Sequence, residues 1–106
     1  MNNIPAMMAK ERRESIRWHI LSLSNFSRPM GINTSTLHNV IKGTYQDLSH
    51  LEVRQEVDYL EKRDLVIIEK DPLDNWFVKL TRHGIDVVEN TVHVEPGINR
   101  PLLSQV

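Results

Sequence analysis

The 106-residue sequence has no cysteine. That excludes disulfides and thiolate-held metals, and it is compatible with a reducing compartment. Nor does it have any apolar run approaching the ~20 residues that cross a bilayer. The stretch Met1–Ala9 lacks the apolar segment of a secretory signal. A cytoplasmic protein without membrane association is expected. Glycine is scarce, at four residues, and none sits in a phosphate-cradling loop. No nucleophile motif and no motif-placed pair of carboxylates occurs. His19, His38, His50, His83 and His93 show no metal-ligand spacing. The chain therefore reads as a non-enzyme with no metal or cofactor. Aromatics are few, and Trp18, Tyr59 and Trp76 are expected in packing.

The charge is close to balanced but unevenly spread. The formal net charge is −1. Residues 1–33 carry five basic groups and two acidic ones, a net of +3. Residues 34–75 carry five basic and nine acidic groups, a net of −4. Basicity is concentrated on the first helix, in Lys10, Arg12, Arg13 and Arg17.

The pattern along the chain predicts one domain. Residues 1–5 read as a flexible start, 6–92 as the folded unit, and 93–106 as an extended tail with two prolines and a glycine. A first helix is expected over Ala6–Ser24, with Ile16, Ile20 and Leu23 as its apolar stripe. The segment ending at Pro29 stops it. A second helix is expected over Ser35–Lys42, capped by Asn33 or Thr34. Leu37, Val40 and Ile41 should form its inner face, and Gly43 should end it in the left-handed conformation.

The strongest local signal is Ser49-His50-Leu51-Glu52, which has the spacing of a reciprocal capping box. Leu48 and Val53 flank it as a hydrophobic staple. Val53, Val57 and Leu60 then define the buried face of a third helix, and Asp64 suits a left-handed exit. Two strands follow, Leu65–Glu69 and Trp76–Leu80, joined by the turn formers Asp71-Pro72-Leu73-Asp74-Asn75. Thr81 caps a fourth helix reaching about Asn90, with Ile85 and Val88 inward.

This order predicts an α+β fold, a winged helix-turn-helix. It has a three-helix core, a two-stranded β-wing and a short carboxy-terminal helix. The stretch Val53-Arg54-Gln55-Glu56-Val57-Asp58-Tyr59-Leu60-Glu61-Lys62-Arg63-Asp64-Leu65-Val66 is similar to the third helix and first wing strand of many winged-helix regulators, with Asp64 replacing the commoner glycine. A narrower match rests on Asn33-Thr34-Ser35-Thr36-Leu37, on Leu80-Thr81-Arg82-His83-Gly84-Ile85-Asp86-Val87-Val88, and on Val94-Glu95-Pro96-Gly97-Ile98-Asn99-Arg100-Pro101. In these the chain resembles a family of small winged-helix proteins of Mu-like phages and prophages. The resemblance implies a phage-borne protein in the cytoplasm of a bacterial host, and it carries no defined molecular function. The layout also resembles ArsR-type regulators, without their cysteine metal sensor.

Two functions follow from this fold. The first is a DNA-binding transcriptional regulator, as a homodimer on double-stranded DNA. The third helix would enter the major groove by its amino-terminal half. Arg54 would then read guanine and Gln55 adenine, with Ser49 and His50 on phosphate. Lys70, Lys79 and Arg82 would touch the minor groove or backbone from the wing; Asp71 and Asp74 at its tip oppose that, and the alternative is an exposed turn. Lys10, Arg12, Arg13 and Arg17 bind phosphate, balance the acidic middle of the same or a second subunit, or form an ordinary solvated helix face. A continuous positive face across the first helix and the start of the third would decide for DNA. Against it, residues 49–64 hold five acidic and three basic groups, and phosphate contacts supply most non-specific affinity. Their alternative role is solvation of an exposed helix, with pairs such as Asp58–Lys62. The second function is a protein–protein assembly module without DNA reading, its tail lying across a partner.

Overall fold

Proline is tolerated in the first turn of a helix, where its missing N–H has no partner to lose. Pro5 stands there, and the longest element, α1, runs Ile4–Phe26. The computed structural model describes residues 3–102. The helix therefore includes Ile4 and Pro5, which were expected to be flexible; residues 1 and 2 lie outside the described range. Ile16, Ile20 and Leu21 are its wholly buried apolar residues, and Leu23 packs partly buried beside them.

A strand of two residues follows, β1 (Ile32–Asn33). Asn33 also caps α2 (Thr34–Ile41), its side chain accepting from the Ser35 N–H at 2.8 Å. Thr34, Leu37, His38 and Ile41 share the buried face. Val40 does not, and its exposure of 52% corrects the expected inner face. It lies on the far side of Leu37 from Ile41, as helical spacing dictates. Gly43 is not in the left-handed region. The helix instead unwinds through tight turn bonds from Gly43 N–H to Val40 and from Thr44 N–H to Ile41.

The third helix, α3 (His50–Lys62), starts where the capping signal places it. Ser49 accepts from Glu52 N–H at 3.0 Å. The return bond of a capping box is absent, because the Glu52 carboxylate is bound to Arg12. Leu48, Val53, Val57 and Leu60 are buried, and Asp64 leaves the helix at φ 61°.

Strands β2 (Val66–Lys70) and β3 (Trp76–Leu80) pair antiparallel, from Val66 opposite Leu80 to Lys70 opposite Trp76. The sheet has three strands rather than the expected two. β3 is central, and its other edge takes β1 through Ile32 opposite Val78. Asp71 shapes the hairpin turn by accepting from the N–H groups of Leu73 and Asn75, each at 2.9 Å. Helix α4 (Arg82–Val88) is capped by Thr81, which accepts from Gly84 N–H at 3.0 Å. Its buried apolar residue is Val87; Ile85 and Val88 are half-buried.

Among the described residues the chain is thus an α+β fold of four helices and one three-stranded antiparallel sheet. One core joins α1, α2 and α3 to the inner face of the sheet. Burying each Leu, Ile or Val side chain in it contributes about 1.5–3 kcal/mol. No described helix is long and apolar enough to cross a membrane.

Residues 93–100 form neither helix nor strand, yet they are bound to the body. Ile98 enters the core. Gly97, at φ 111°, accepts from Arg17 through its carbonyl at 2.8 Å. Arg100 donates to the Val87 and Val92 carbonyls at 3.1 and 2.7 Å. Residues 103–106 of the expected tail lie outside the described range.

Candidate nucleic-acid interface

The two sides of α3 carry different chemistry. Its flank toward α1 holds Glu52 and Glu56, and each meets an arginine of α1. Arg12 donates two parallel bonds to Glu52, Nε at 3.0 Å and Nη2 at 2.9 Å. A third goes from Nη1 to Asp47 at 2.9 Å. The bond to Glu52 is the main reason that the guanidinium is held above its ordinary pKa, while Arg12 draws the Asp47 carboxyl below the usual range. Arg17 donates to Glu56 at 2.7 Å and lies 3.5 Å over the Tyr59 ring. Both members are nearly buried, with side-chain exposures of 11% and 6%.

Arg12 and Arg17 are thus paired with acidic groups from the middle of the same chain. Asp47, Glu52 and Glu56 stand between these arginines and the start of α3 and pair with them. Lys10 and Arg13 are exposed on α1.

The same pairing changes the meaning of the acidic third helix. Glu52 and Glu56 are turned to α1 and neutralised there. Asp58, Glu61 and Asp64 fall in the second half of the helix or just past it. Its amino-terminal half presents His50, Leu51 and Gln55 to solvent, with Arg54 partly exposed. Among the described residues no ion pair joins Asp58 to Lys62, so that expected helix-face pair is not formed.

His50 stacks on His38 with ring centroids 3.8 Å apart. His38 is buried and its Nε2 donates to the Leu48 carbonyl at 2.7 Å, which steadies the turn between α2 and α3. Ser49 has its hydroxyl engaged as the cap of α3.

Arg54 is held by the hairpin turn. Nη1 donates to Asp74 Oδ2 at 2.9 Å and Nη2 to the Asp74 backbone carbonyl at 2.7 Å. The guanidinium lies 4.5 Å over the Trp76 ring, and Lys70 Nζ lies 4.2 Å from the same ring. The indole Nε1–H donates to the second Asp74 oxygen at 3.1 Å. Hydrogen bonds from Arg54 first, then from Trp76, hold the Asp74 carboxyl below its ordinary pKa. The structure therefore brings Arg54 and Lys70 together around Trp76, beside His50 and Gln55 on α3. Lys79 pairs with Glu69 across the hairpin at 3.4 Å, and Arg82 is exposed in the first turn of α4.

Asp74 and Trp76 were not among the expected site residues. Asp74 reads as a turn former and Trp76 as a core aromatic, and both descriptions hold. Neither has a local signal pointing to an arginine 20 residues away.

No protein-family model matches this chain, and neither does any curated protein.

Proposed function

We propose that this chain is a winged-helix DNA-binding protein, a transcriptional regulator encoded by a Mu-like phage or prophage and acting in the bacterial host cytoplasm. One observation carries the reading. The acidic groups in the amino-terminal half of α3 face α1 and are neutralised, which leaves His50, Arg54 and Gln55 on the outward side. In this mode of docking that half of a third helix meets the DNA, here with Gln55 toward base edges and Arg54 toward the phosphate backbone instead of a guanine edge. The order of helices and hairpin supports the same reading, with β2 and β3 as the wing and Lys70 as the wing cation that shares the Trp76 ring with Arg54 of α3.

Docking in this form excludes Arg12 and Arg17 from the DNA contact. Few phosphates would be neutralised per copy, so two copies on paired half-sites supply the remainder. Fluorescence anisotropy with labelled duplexes from the neighbourhood of the chain's own gene tests it. Affinity should fall steeply as salt rises from about 50 to 200 mM. Replacing Gln55 with Ala should weaken the best site by about 1–3 kcal/mol. Absence of binding at the low-salt end, or binding indifferent to salt, rules the reading out.

A second reading, a protein-assembly module, is favoured by the first turns of α1. Met7 and Met8 are 58% and 63% exposed there, on the same side of the helix as Ile4. Light scattering separates the two: an assembly that Met7→Glu with Met8→Glu dissociates, in a chain that ignores DNA, supports this one.

A further inference from the structure

We infer that Asp74 is a built-in competitor for DNA phosphate: the hairpin tip occupies Arg54 in the free protein, and a backbone phosphate displaces it on binding. The inference rests on the DNA-binding reading and deepens it by naming the group that regulates the α3 cation.

Three features carry it. The first is geometry. A guanidinium offers planar, forked N–H groups that suit a phosphate as well as a carboxylate. Asp74 occupies that fork with a carboxylate oxygen and a carbonyl oxygen, at 2.9 and 2.7 Å. The second is accessibility. The Asp74 side chain is 72% exposed and that of Arg54 is 31% exposed. Exposed pairs of this kind are weak and screened by salt, so a phosphate can take the place of the carboxylate. The Arg17–Glu56 pair, nearly sealed from water, has no such freedom. The third is the surroundings. Lys70 lies 4.2 Å from the Trp76 ring, the other partner of Asp74, so a second cation stands near the carboxylate that the phosphate replaces.

Asp74 adopts φ 62°, a conformation that asparagine and glycine also accept. Asp74→Asn keeps an oxygen for the Trp76 N–H and replaces the oxygen that accepts from Arg54 with an amide NH2, so that the charge and that bond are removed together; Asp74→Gly is a second variant that fits the turn. The experiment measures binding of one labelled duplex by wild type, Asp74→Asn, Arg54→Ala and the double variant at several salt concentrations. Asp74→Asn should bind about three- to tenfold more tightly at low salt, with the log–log salt slope steeper by about one. Asp74→Gly should follow it. In the Arg54→Ala background the gain should vanish, as expected for two coupled sites.

If wild type binds with salt dependence but neither Asp74 variant binds more tightly, the competitor is refuted and the DNA reading stands. An equal gain in the Arg54→Ala background also refutes it, since removing any negative charge would then suffice. If neither wild type nor the variants bind at low salt, both the reading and the inference fall.

Discussion

Both flanks of α3 pair an arginine with a carboxylate, to opposite ends. Toward α1, arginine and glutamate meet in near-complete burial, as in Arg17 with Glu56. Toward the hairpin, Arg54 and Asp74 meet at the surface. The donor–acceptor distances hardly differ, at 2.7 and 2.9 Å. What differs is the solvent. A buried pair cannot lose one member without stranding the other in a low-dielectric site. An exposed pair leaves two groups that water solvates well. The first kind is costly to break; the second can be exchanged for another partner.

The largest expected effect tests the buried flank. Glu56→Gln leaves Arg17 without a counter-charge among Tyr59, Gly97 and the core. It should lower stability by about 3 kcal/mol, since breaking a buried pair typically costs 3–5 and Arg17 keeps the Gly97 carbonyl and the Tyr59 ring. Urea denaturation with an unchanged m-value measures it. A loss below about 1 kcal/mol, the range of exposed pairs, would erase the contrast.

Next is the segment that closes over that pair. A Cβ on Gly97 would overlap the Tyr59 hydroxyl, and φ 111° is strained for any side chain. Gly97→Ala should cost about 1–3 kcal/mol. It should also expose amides near Ile98 and Asn99 to hydrogen exchange while those of α2 stay protected. Unchanged protection would show that the segment does not depend on the fit of Gly97 to Tyr59.

The smallest effect belongs to the exposed flank. The carboxyl of Asp74 is held below its ordinary pKa by Arg54 and Trp76. A depressed folded-state pKa means that its contribution is present above the unfolded value, roughly 3.9, and is lost as pH falls through the folded value. Acid titration followed by tryptophan fluorescence should show a component below about pH 4 that Asp74→Asn lacks. Neutral-pH stability of that variant should change little. A large loss at neutral pH would mean that the hairpin contact is structural like its buried counterpart.

Much of the fold was legible because its signals are local. Asn33, Ser49 and Thr81 each cap a helix whose acceptor bond spans two or three residues. The spacing of Val53, Val57 and Leu60 shows the buried face of α3, because helical period and burial coincide there. β1 escaped because two residues contain no period to read. The same holds for Val40, where an apolar side chain on a short helix sits just outside the buried arc. The site was read less well. Counting charges along residues 49–64 suggested a helix repelled by DNA, since a count ignores direction. Glu52 and Glu56 point to arginines about 40 positions upstream.

The sequence by itself determined the helices, the amino-terminal caps of α2, α3 and α4, the hairpin and most of the apolar faces that meet, because those follow from propensity and periodicity over a few neighbouring residues. Tertiary structure alone decided which arginine is occupied by which carboxylate, and that the segment after α4 folds back over α1 and α3. Coulomb attraction and burial act through space, and the sequence separations involved, 20 for Arg54–Asp74 and 80 for Arg17–Gly97, leave no trace in local pattern.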